Sequence, residues 1–539
     1  MVTVETLLNG YGPKFKEKFP TLDSLMAVKA TPEQKVRLKA PLPAMGRYLK
    51  SIAFLQNVTS GERLGMERFR VIKEYFIALA ERLTEYDGIH KDHKVVCDLT
   101  EDQEGQIRDL AMTTDDIIRA EALEDFSDHD TAAAGDLVKI LIGSKIPELE
   151  SKIEGVHFAA TSEDVMGNVF GIIHNELVYG YFVPTILNFC EHLMDYADMF
   201  EQTAERISIP GFTHDQAAEP HTLKKKFATR IRAIEFQLQS LIKNDRFQPF
   251  SGKMGGAIGN LTTHYAAYSD IDWFEFSKNF VEGFGLHYES MTDQSTSYTV
   301  EAQIYSAMAN IMTQMHKVTE DFVDLTSCPA QLFVKEKKPG QKGSSIMPNK
   351  SNAWGMEGAE FMFRFARNKM TFYAQDLPGY PHEGNMERSY ALRNLGDVFM
   401  DAFIGMKRVM REMNNYIANL GKIEAFFHEY PGMSGSSIQT VLKREGIEGD
   451  AYREIQSISI NSDGTYANEK QFGTRLDEKL QTLGISPEAH SDVLTLLHPD
   501  ELIRPSHEKT HSELEGMKRR FQDYRAMLKQ YAPKETING

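Results

Sequence analysis

Long stretches of the chain carry apolar residues at the spacing of one helix face, and this periodicity constrains the fold more than any other feature. Around residues 231–242 the apolar face consists of Ile231, Ile234, Leu238, Leu241 and Ile242. Residues 306–323 and 397–416 repeat the pattern, which is typical of amphipathic helices. Alternating runs are rare, and only residues 332–334 predict a short strand. We therefore expect an all-α fold.

The length of the chain, 539 residues, exceeds that of one ordinary domain. Residues 1–45 contain several prolines and predict an extension that wraps on the first domain. Long helical segments follow, and they become shorter after Pro431. We predict an N-terminal helical domain at residues 1–154 that includes the extension, a central long-helix bundle at residues 155–424, and a C-terminal helical domain at residues 425–539.

The formal net charge of −17 argues against a nucleic-acid binder and against a protein of anionic membrane surfaces. The charge is unevenly spread. Residues 335–352 contain five lysines and one glutamate, a net of +4, and residues 213–232 have a net of +3. The acidic excess lies elsewhere, as in residues 115–130, where we expect a solvated acidic face. A small anion in a local pocket therefore remains compatible with the composition.

Three cysteines lie far apart, at Cys97, Cys190 and Cys328, which excludes a disulfide framework and a cysteine-rich zinc site. No signal peptide is readable, and the apolar stretch 170–190 is too short and too polar to span a bilayer. The stretch 255–260 has no preceding strand, so it does not predict a dinucleotide site. We expect a cytoplasmic protein that uses no cofactor and no metal and that is not membrane-bound.

Residues 343–357, GSSIMPNKSNAWGME, carry the most informative motif, which we call the signature loop. A Gly-Ser-Ser turn exposes hydroxyl and amide groups, and Pro348 stands where a helix could begin. A carboxylate approaching that helix start would meet free N–H groups, the Lys350 ammonium and the Asn352 amide. The loop therefore predicts an anion site with a serine nucleophile or base. Composition alone favours the alternative, a mobile Gly/Ser loop with a solvated lysine.

The pattern G-S-S-x-M-P-x-K-x-N with a glutamate five residues later resembles the signature of the fumarase/aspartase superfamily. The similarity extends from about residue 47 to beyond residue 450. Further stretches are similar to the adenylosuccinate lyase family, particularly its bacterial form: residues 157–164, 213–220, 255–260, 392–396 and 437–447. The resemblance implies a three-domain subunit whose central helices assemble into a homotetrameric core, with active sites shared between subunits. It also implies elimination of fumarate from adenylosuccinate to give AMP in purine biosynthesis, and the same reaction on the related succinylaminoimidazole-carboxamide ribotide.

The same resemblance implies roles for individual residues. Ser344 is expected to be the base and His214 the general acid, while Glu357 orients a histidine and Lys350 contributes positive charge. The fumaryl carboxylates are expected to be bound by Lys350, Asn352, Thr161, Ser162 and Gln294, and the nucleotide by Arg47, Tyr48, His129, Asp130, Ser389 and Arg393. A serine base needs activation, and a carbanion next to a carboxylate needs fixed positive charge, which the lysine and the amide supply. Taken alone, His214 is more typical of a surface or hydrogen-bonded histidine, and only its Thr-His-x-Gln context favours the catalytic role. Residues 161–164 also predict a helix N-cap.

Four positions depart from the family pattern: Asn349, Ala353, Asp215 and Gly384. The last replaces an arginine that engages the substrate in the family, and the nearby Arg388 is a candidate to replace it. Three interpretations follow: a divergent adenylosuccinate lyase, a related lyase that eliminates fumarate from another N-succinyl or amino-acid-like substrate, and an inactive structural or binding member. The intact Ser344, His214 and Lys350 argue against the third.

Overall fold

The structure is a computed structural model, and it describes residues 3–32, 48–89, 94–203, 207–336, 344 and 346–532. All structural statements below refer to these residues. The predicted nucleotide-binding residue Arg47 lies outside them.

Twenty-four α-helices and eight short strands make up the described part of the chain. The helices of the first part are α1 (Val4–Gly10), α2 (Pro13–Lys18), α3 (Leu22–Met26), α4 (Leu49–Ile52), α5 (Leu55–Thr59), α6 (Gly61–Ile89), α7 (Glu101–Asp109), α8 (Thr114–Ser127) and α9 (Asp130–Lys145). The central helices are α10 (Ser162–Asn175), α11 (Val183–Thr203), α12 (Leu223–Ser240), α13 (Thr262–Ala267), α14 (Trp273–Gly283), α15 (Thr299–Thr326), α16 (Trp354–Asp376), α17 (Glu387–Leu392), α18 (Leu395–Met413) and α19 (Leu420–Glu429). The last helices are α20 (Gly435–Arg444), α21 (Ala451–Ser459), α22 (Glu469–Leu483), α23 (Pro487–Thr495) and α24 (Pro499–Leu528).

A bundle of long helices forms the centre of the molecule. Helix α10 continues through a π-helical segment, Glu176–Phe182, into α11 without a break. At the usual rise per residue this run is about 60 Å long. Helix α11 packs against α12 and α18, and α15 packs against α12 and α16. The predicted apolar face of α12 is buried from Ile231 to Leu241, so the helical periodicity and the all-α fold are confirmed.

The strands pair two by two, and the longest pair was not predicted from the sequence. Strands β1 (Ser208–Thr213) and β2 (Gln216–Thr222) form an antiparallel hairpin between α11 and α12. Prolines and a glycine interrupt both strands, which hides them from a search for alternating apolar residues. The predicted strand at 332–334 is present as β7 (Phe333–Lys335), which pairs with β8 (Tyr416–Ala418). The other pairs are β3 (Ile242–Lys243) with β4 (Arg246–Phe247), and β5 (Ser251–Gly252) with β6 (His287–Tyr288).

The N-terminal segment packs against helices α8 and α9. Phe15 and Leu25 are buried in the main core, and the backbone N–H of Ala30 donates to Asp115 at 2.7 Å. This contact corrects the expectation of a solvated acidic face at residues 115–130. Asp116 is also buried, where it pairs with Arg119 at 2.5 Å, because the segment covers part of this surface.

The last third of the chain contains a second, small apolar core. It is formed by buried side chains of α20, α21, α22 and α23, among them Leu442, Ile455 and Phe472. Helix α24 then returns to the main core, where Phe521 is fully buried. The domain limits at residues 154 and 424 stay predictions. Within the described ranges, no helix combines the length and the apolar character that a membrane crossing requires.

Candidate active site

Asp164, in the first turn of α10, joins two segments that the sequence singled out. Its carboxylate accepts hydrogen bonds from the backbone N–H of Thr161 at 2.9 Å and of Gly255 at 2.8 Å. It also pairs with the Lys253 ammonium at 2.9 Å, and both side chains are only 1% exposed. Residues 161–164 therefore do form a helix N-terminus. The same carboxylate holds the glycine loop 255–260 next to the predicted Thr161 and Ser162.

Arg388, on the short helix α17, links Gln294 to the start of α10. Its Nη2 lies 2.9 Å from Glu163 Oε1 and donates to Gln294 Oε1 at 3.3 Å. Its Nη1 donates to the backbone oxygen of Asn385 at 2.6 Å. The predicted Gln294 is thereby brought next to Glu163, which directly follows the predicted Ser162. We call Glu163, Gln294, Gly384 and Arg388 the Arg388 cluster.

Gly384 contributes to this cluster by having no side chain. A Cβ at position 384 would lie 2.5 Å from Gln294 Oε1 and 3.1 Å from Arg388 Nη1. The first of these distances is shorter than real carbon–oxygen contacts allow. Gln294 and Arg388 therefore occupy the space that a side chain at position 384 would need. This contact explains sterically why the residue is a glycine.

Asp130, the first residue of α9, joins residues from three parts of the chain. Its Oδ2 accepts hydrogen bonds from Arg68 Nη2 at 2.8 Å and from Arg393 Nη2 at 2.6 Å. Arg393 also donates to the Ser389 hydroxyl. Burial opposes ionisation of Asp130, but the Arg68 and Arg393 charges and the hydrogen bonds from Thr131 outweigh it, so the pKa of Asp130 is lowered. Three predicted nucleotide-binding residues therefore meet in one group, which we call the Asp130 cluster (Arg68, Asp130, Ser389 and Arg393).

A cavity of about 270 Å³ opens beside the Asp130 cluster. Arg68, Asp130 and Arg393 line it, together with Glu121 and Glu124 of α8. Burial, and next the charge of Asp130, raises the pKa of Glu124. The cavity is therefore lined by two guanidinium groups and three carboxylates, and one of these carboxylates, Asp130, bonds both guanidinium groups.

Of the other predicted nucleotide-binding residues, His129 adjoins the Asp130 cluster, with its Nδ1 3.9 Å from Asp130 Oδ1, whereas Tyr48 lies elsewhere. The exposed His129 caps α9, and its Nδ1 accepts the backbone N–H of Ala132 at 3.3 Å. The Tyr48 hydroxyl accepts a hydrogen bond from Arg408 Nη2 at 3.3 Å. Residue 408 lies about 20 Å along α18 from its start, whereas Arg393 precedes that start. Within one chain, Tyr48 and Asp130 therefore lie apart.

The signature loop surrounds the Ser344 hydroxyl with backbone amides. The Ser344 oxygen accepts hydrogen bonds from the N–H groups of Ile346 at 3.4 Å and Met347 at 3.2 Å. Such donors favour an anionic oxygen over a neutral one. The other predicted residues of the loop lie at or near the surface: Lys350 and Glu357 are exposed and Asn352 is half-buried.

The prediction that a helix begins at Pro348 is wrong. The backbone N–H of Lys350 donates to the carbonyl of Met347 at 3.2 Å, so Pro348 is the second residue of a tight turn. Its fixed φ favours this position as much as a helix start. Helix α16 begins at Trp354 instead, and Lys350 and Asn352 precede it.

His214 and Asp215 form the tip of the β1–β2 hairpin. Both have positive φ, 52° and 57°, as a two-residue type I′ turn requires. Aspartate tolerates this conformation better than most residues, so Asp215 can replace the glycine of the family pattern. The His214 side chain is exposed, and the Tyr466 hydroxyl donates to Gln216 Oε1 at 2.8 Å, which ties the tip to the C-terminal part of the chain.

A cavity of about 890 Å³ adjoins this hairpin. Its walls come from β1, β2 and α12 and from the C-terminal helices, and they include Thr213, Lys225, Tyr452 and Tyr466. None of the predicted site residues lines it. We therefore place the candidate site at the signature loop, the hairpin tip and the two clusters.

These parts lie at opposite ends of the bundle. Thr161 precedes the α10–α11 run of about 60 Å, and the hairpin with His214 follows its other end. Likewise, the signature loop precedes α16, which is about 35 Å long, and the Arg388 cluster follows it. Within one chain, the predicted acid and base therefore lie far from Thr161, Ser162 and Gln294. Within the described residues, no histidine contacts Glu357, so their predicted pairing stays a prediction.

One group among the described residues has the composition of a metal site: His316, Glu320 and Glu360. The His316 Nε2 atom lies 3.4 Å from Glu360 and 3.5 Å from Glu320. The Arg364 guanidinium lies 3.9 Å from Glu360. The group lies outside the predicted site, and the neighbouring Arg364 guanidinium offsets the charge of Glu360.

Comparison with known proteins decides the family. A family model described as "Lyase" matches residues 82–363, which is more than half of the chain. The chain belongs to this lyase family. It is a divergent member of the fumarase/aspartase superfamily. Membership implies a small-molecule substrate and assembly of several chains.

Curated relatives of this lyase are similar over most of their length. Adenylosuccinate lyase of Dictyostelium discoideum is 26% identical over 81% of this chain and 91% of its own. The adenylosuccinate lyase of Escherichia coli K12 gives the same values, and that of Haemophilus influenzae is 26% identical over 84% of this chain and 96% of its own. Among solved structures, β-carboxy-cis,cis-muconate cycloisomerase of Acinetobacter calcoaceticus shares the fold with a TM-score of 0.60 at 13% identity, covering 86% of this chain and 97% of that one.

The structure adds residues to the candidate site to which the sequence gave no individual role there. Arg68 joins the Asp130 cluster although 62 residues separate the two. Lys253 pairs with Asp164 and Glu163 pairs with Arg388, and these partners are still more distant in sequence. No local pattern marks such residues, because each gains its role only from the packing of α6, α10 and α17.

Proposed function

We propose that this lyase is an adenylosuccinate lyase, which eliminates fumarate from adenylosuccinate to leave AMP, and which acts likewise on the succinylaminoimidazole-carboxamide ribotide. The Asp130 cluster carries the proposal. It brings Asp130 together with Ser389 and with Arg393, which lies 263 positions from Asp130, beside a cavity lined by two guanidinium groups and three carboxylates. This chemistry suits a nucleoside phosphate, because arginine binds phosphate oxygens with paired hydrogen bonds. The names of the curated relatives agree with it.

In the proposed reaction Ser344 removes the Cβ proton of the succinyl group. The amides of Ile346 and Met347 support its alkoxide form. Lys350 and Asn352 stabilise the carboxylate next to the carbanion. His214 donates a proton to the departing nitrogen from the opposite face, which completes an anti elimination. Glu357 orients a histidine.

The separation of the two ends of the bundle supports a shared site in a homotetramer. The α10–α11 run of about 60 Å and α16 of about 35 Å separate the acid and base of one chain from its own Thr161 and Gln294, so the full set needs parts of neighbouring chains. Light scattering on the purified protein tests this, and a monomer at micromolar concentration would contradict it. We also propose a cytoplasmic location, in keeping with three free cysteines.

A related lyase acting on another N-succinyl compound is the second candidate. Gly384 favours it, because the family arginine is absent there and the space is filled by Gln294 and Arg388. A different cation next to the substrate would change which leaving group is accepted. A screen of N-succinyl compounds with fumarate detection distinguishes the two candidates.

The decisive assay follows the ultraviolet absorbance of adenylosuccinate, which falls on cleavage. We expect turnover by the unmodified protein and a loss of at least about a hundredfold in kcat for Ser344→Ala and for His214→Ala. Ser351→Ala, in the same loop, and His192→Ala, on the surface of α11, are matched controls that should retain activity. No turnover by the unmodified protein would refute the proposed substrate.

A further inference from the structure

Arg388 is a buried cation, and its neighbours determine which group its guanidinium can orient. The residue is 3% exposed, and a buried guanidinium is stable only with compensating partners. Glu163 neutralises it at 2.9 Å, and the Asn385 carbonyl fixes Nη1 at 2.6 Å. With its charge balanced and its plane fixed, Nη2 is held against the side chain of Gln294.

This contact determines which way the Gln294 amide faces. A guanidinium has only donors, so the atom of Gln294 that faces it must be the carbonyl oxygen. The amide nitrogen then points away from Arg388, and within the described part of the chain it has no hydrogen-bond acceptor. An oriented NH₂ group offers two donors, which match a carboxylate and not an amide nitrogen or a cation.

The backbone of Gln294 and the glycine at 384 support the same orientation. The Gln294 N–H donates to the Glu383 carbonyl at 2.8 Å, which fixes the residue next to position 384. A Cβ at 384 would push against the Oε1 atom that Arg388 holds, at 2.5 Å. The glycine, the arginine and the glutamine therefore form one steric and hydrogen-bonded unit.

We propose that Arg388 is a positioning residue that turns the amide nitrogen of Gln294 toward a carboxylate of the dicarboxylate part of the substrate. This rests on the proposed function, because it assigns a specificity determinant within the same site. Arg388 acts through Gln294 and does not itself bind the substrate. Its positive charge balances Glu163 in the folded protein, and its planar guanidinium group orients the Gln294 amide.

A double-mutant cycle tests the proposal. Arg388→Lys keeps the charge next to Glu163 but loses the planar fork, so we expect KM to rise about tenfold with kcat within about twofold. Gln294→Ala should raise KM at least as much. In the Gln294→Ala background, Arg388→Lys should have no further effect. An additional tenfold rise in the double variant would overturn the proposal, since a purely structural arginine would act independently of Gln294.

Two further variants keep the test decisive if Arg388→Lys folds poorly. Gly384→Ala displaces Gln294 Oε1 without changing any charge, and it should also raise KM about tenfold. Arg525→Lys is the matched control, because Arg525 pairs with Glu191 at 2.6 Å on another face of the bundle, and its KM should equal that of the unmodified protein. An unchanged KM for Gly384→Ala would contradict the proposal.

Fumarate binding separates this inference from the proposed function. If the unmodified protein does not cleave adenylosuccinate, the proposed function fails, and the same cycle is measured as the Kd for fumarate by calorimetry. Arg388→Lys should then weaken fumarate binding about tenfold, and only when Gln294 is present. Absence of fumarate binding, or an equal Kd for the unmodified protein and for Arg388→Lys, would overturn the positioning role.

Discussion

Replacing Asp164 by asparagine should strongly destabilise the protein, although the change is isosteric. The shape of the side chain is retained, so no cavity forms. The change removes the charge that balances Lys253, and it puts an NH₂ group where the carboxylate accepts N–H donors from Thr161, Gly255 and Gly256. At least one donor must then face another donor.

The magnitude follows from the burial of the pair. Both side chains are 1% exposed, so the Lys253 ammonium cannot regain water when its partner becomes neutral. Breaking a buried ion pair from one side costs about 3–5 kcal/mol. Lys253→Met should cost less than Asp164→Asn, because three backbone N–H groups still donate to the carboxylate. The double variant should cost less than the sum of the two changes.

Urea unfolding at one fixed chain concentration measures these differences, since assembly makes stability depend on concentration. The exposed pair Arg82–Glu85 supplies the control. Glu85→Gln should change the free energy of unfolding by less than about 1 kcal/mol. A loss below about 1 kcal/mol for Asp164→Asn, or strictly additive effects with Lys253→Met, would refute the view that this pair joins α10 to the glycine loop.

Three other predictions concern pH and packing. Burial lowers the pKa of His174 to about 4. Below about pH 6.5 the unfolded chain therefore binds a proton at His174 while the folded chain does not. This difference should lower the free energy of unfolding by up to about 3 kcal/mol as the pH drops from 6.5 to 4. Urea midpoints at several pH values should depend less on pH in His174→Gln than in the unmodified protein. Phe15→Ala should cost about 3–5 kcal/mol in urea unfolding, because this side chain of the N-terminal segment is 1% exposed, and a loss below 1 kcal/mol would mean that the segment is not docked. Gly155→Ala should lower Tm, because its Cβ would lie 2.5 Å from Cys97 Sγ, whereas Gly473→Ala, within α22 and with open space around it, should raise Tm slightly; equal Tm values for the two variants would contradict this.

The sequence was informative where a local pattern has a single physical outcome. The apolar spacing in α12, α15 and α18 has one solution, an amphipathic helix, and the structure has these helices. Thr161 followed by acidic residues predicted a helix start, and Asp164 does bond the Thr161 N–H. The signature loop was sufficient to indicate the superfamily. Pro348 fits two structures equally well, a helix start and a turn, and there the prediction failed.

Contacts between distant segments could not be read from the sequence, because burial and charge balance are properties of packed elements. The sequence named Asp130, Ser389 and Arg393 by resemblance, but only the packing of α6 against α9 adds Arg68 to them. The departure at Gly384 looked like a lost function in the sequence, whereas the structure places Gln294 and Arg388 in that space. The lengths of α10–α11 and α16 further decide that one chain keeps Ser344 and His214 away from Gln294. Local pattern thus determined the elements and the superfamily, and tertiary packing decided which charges meet.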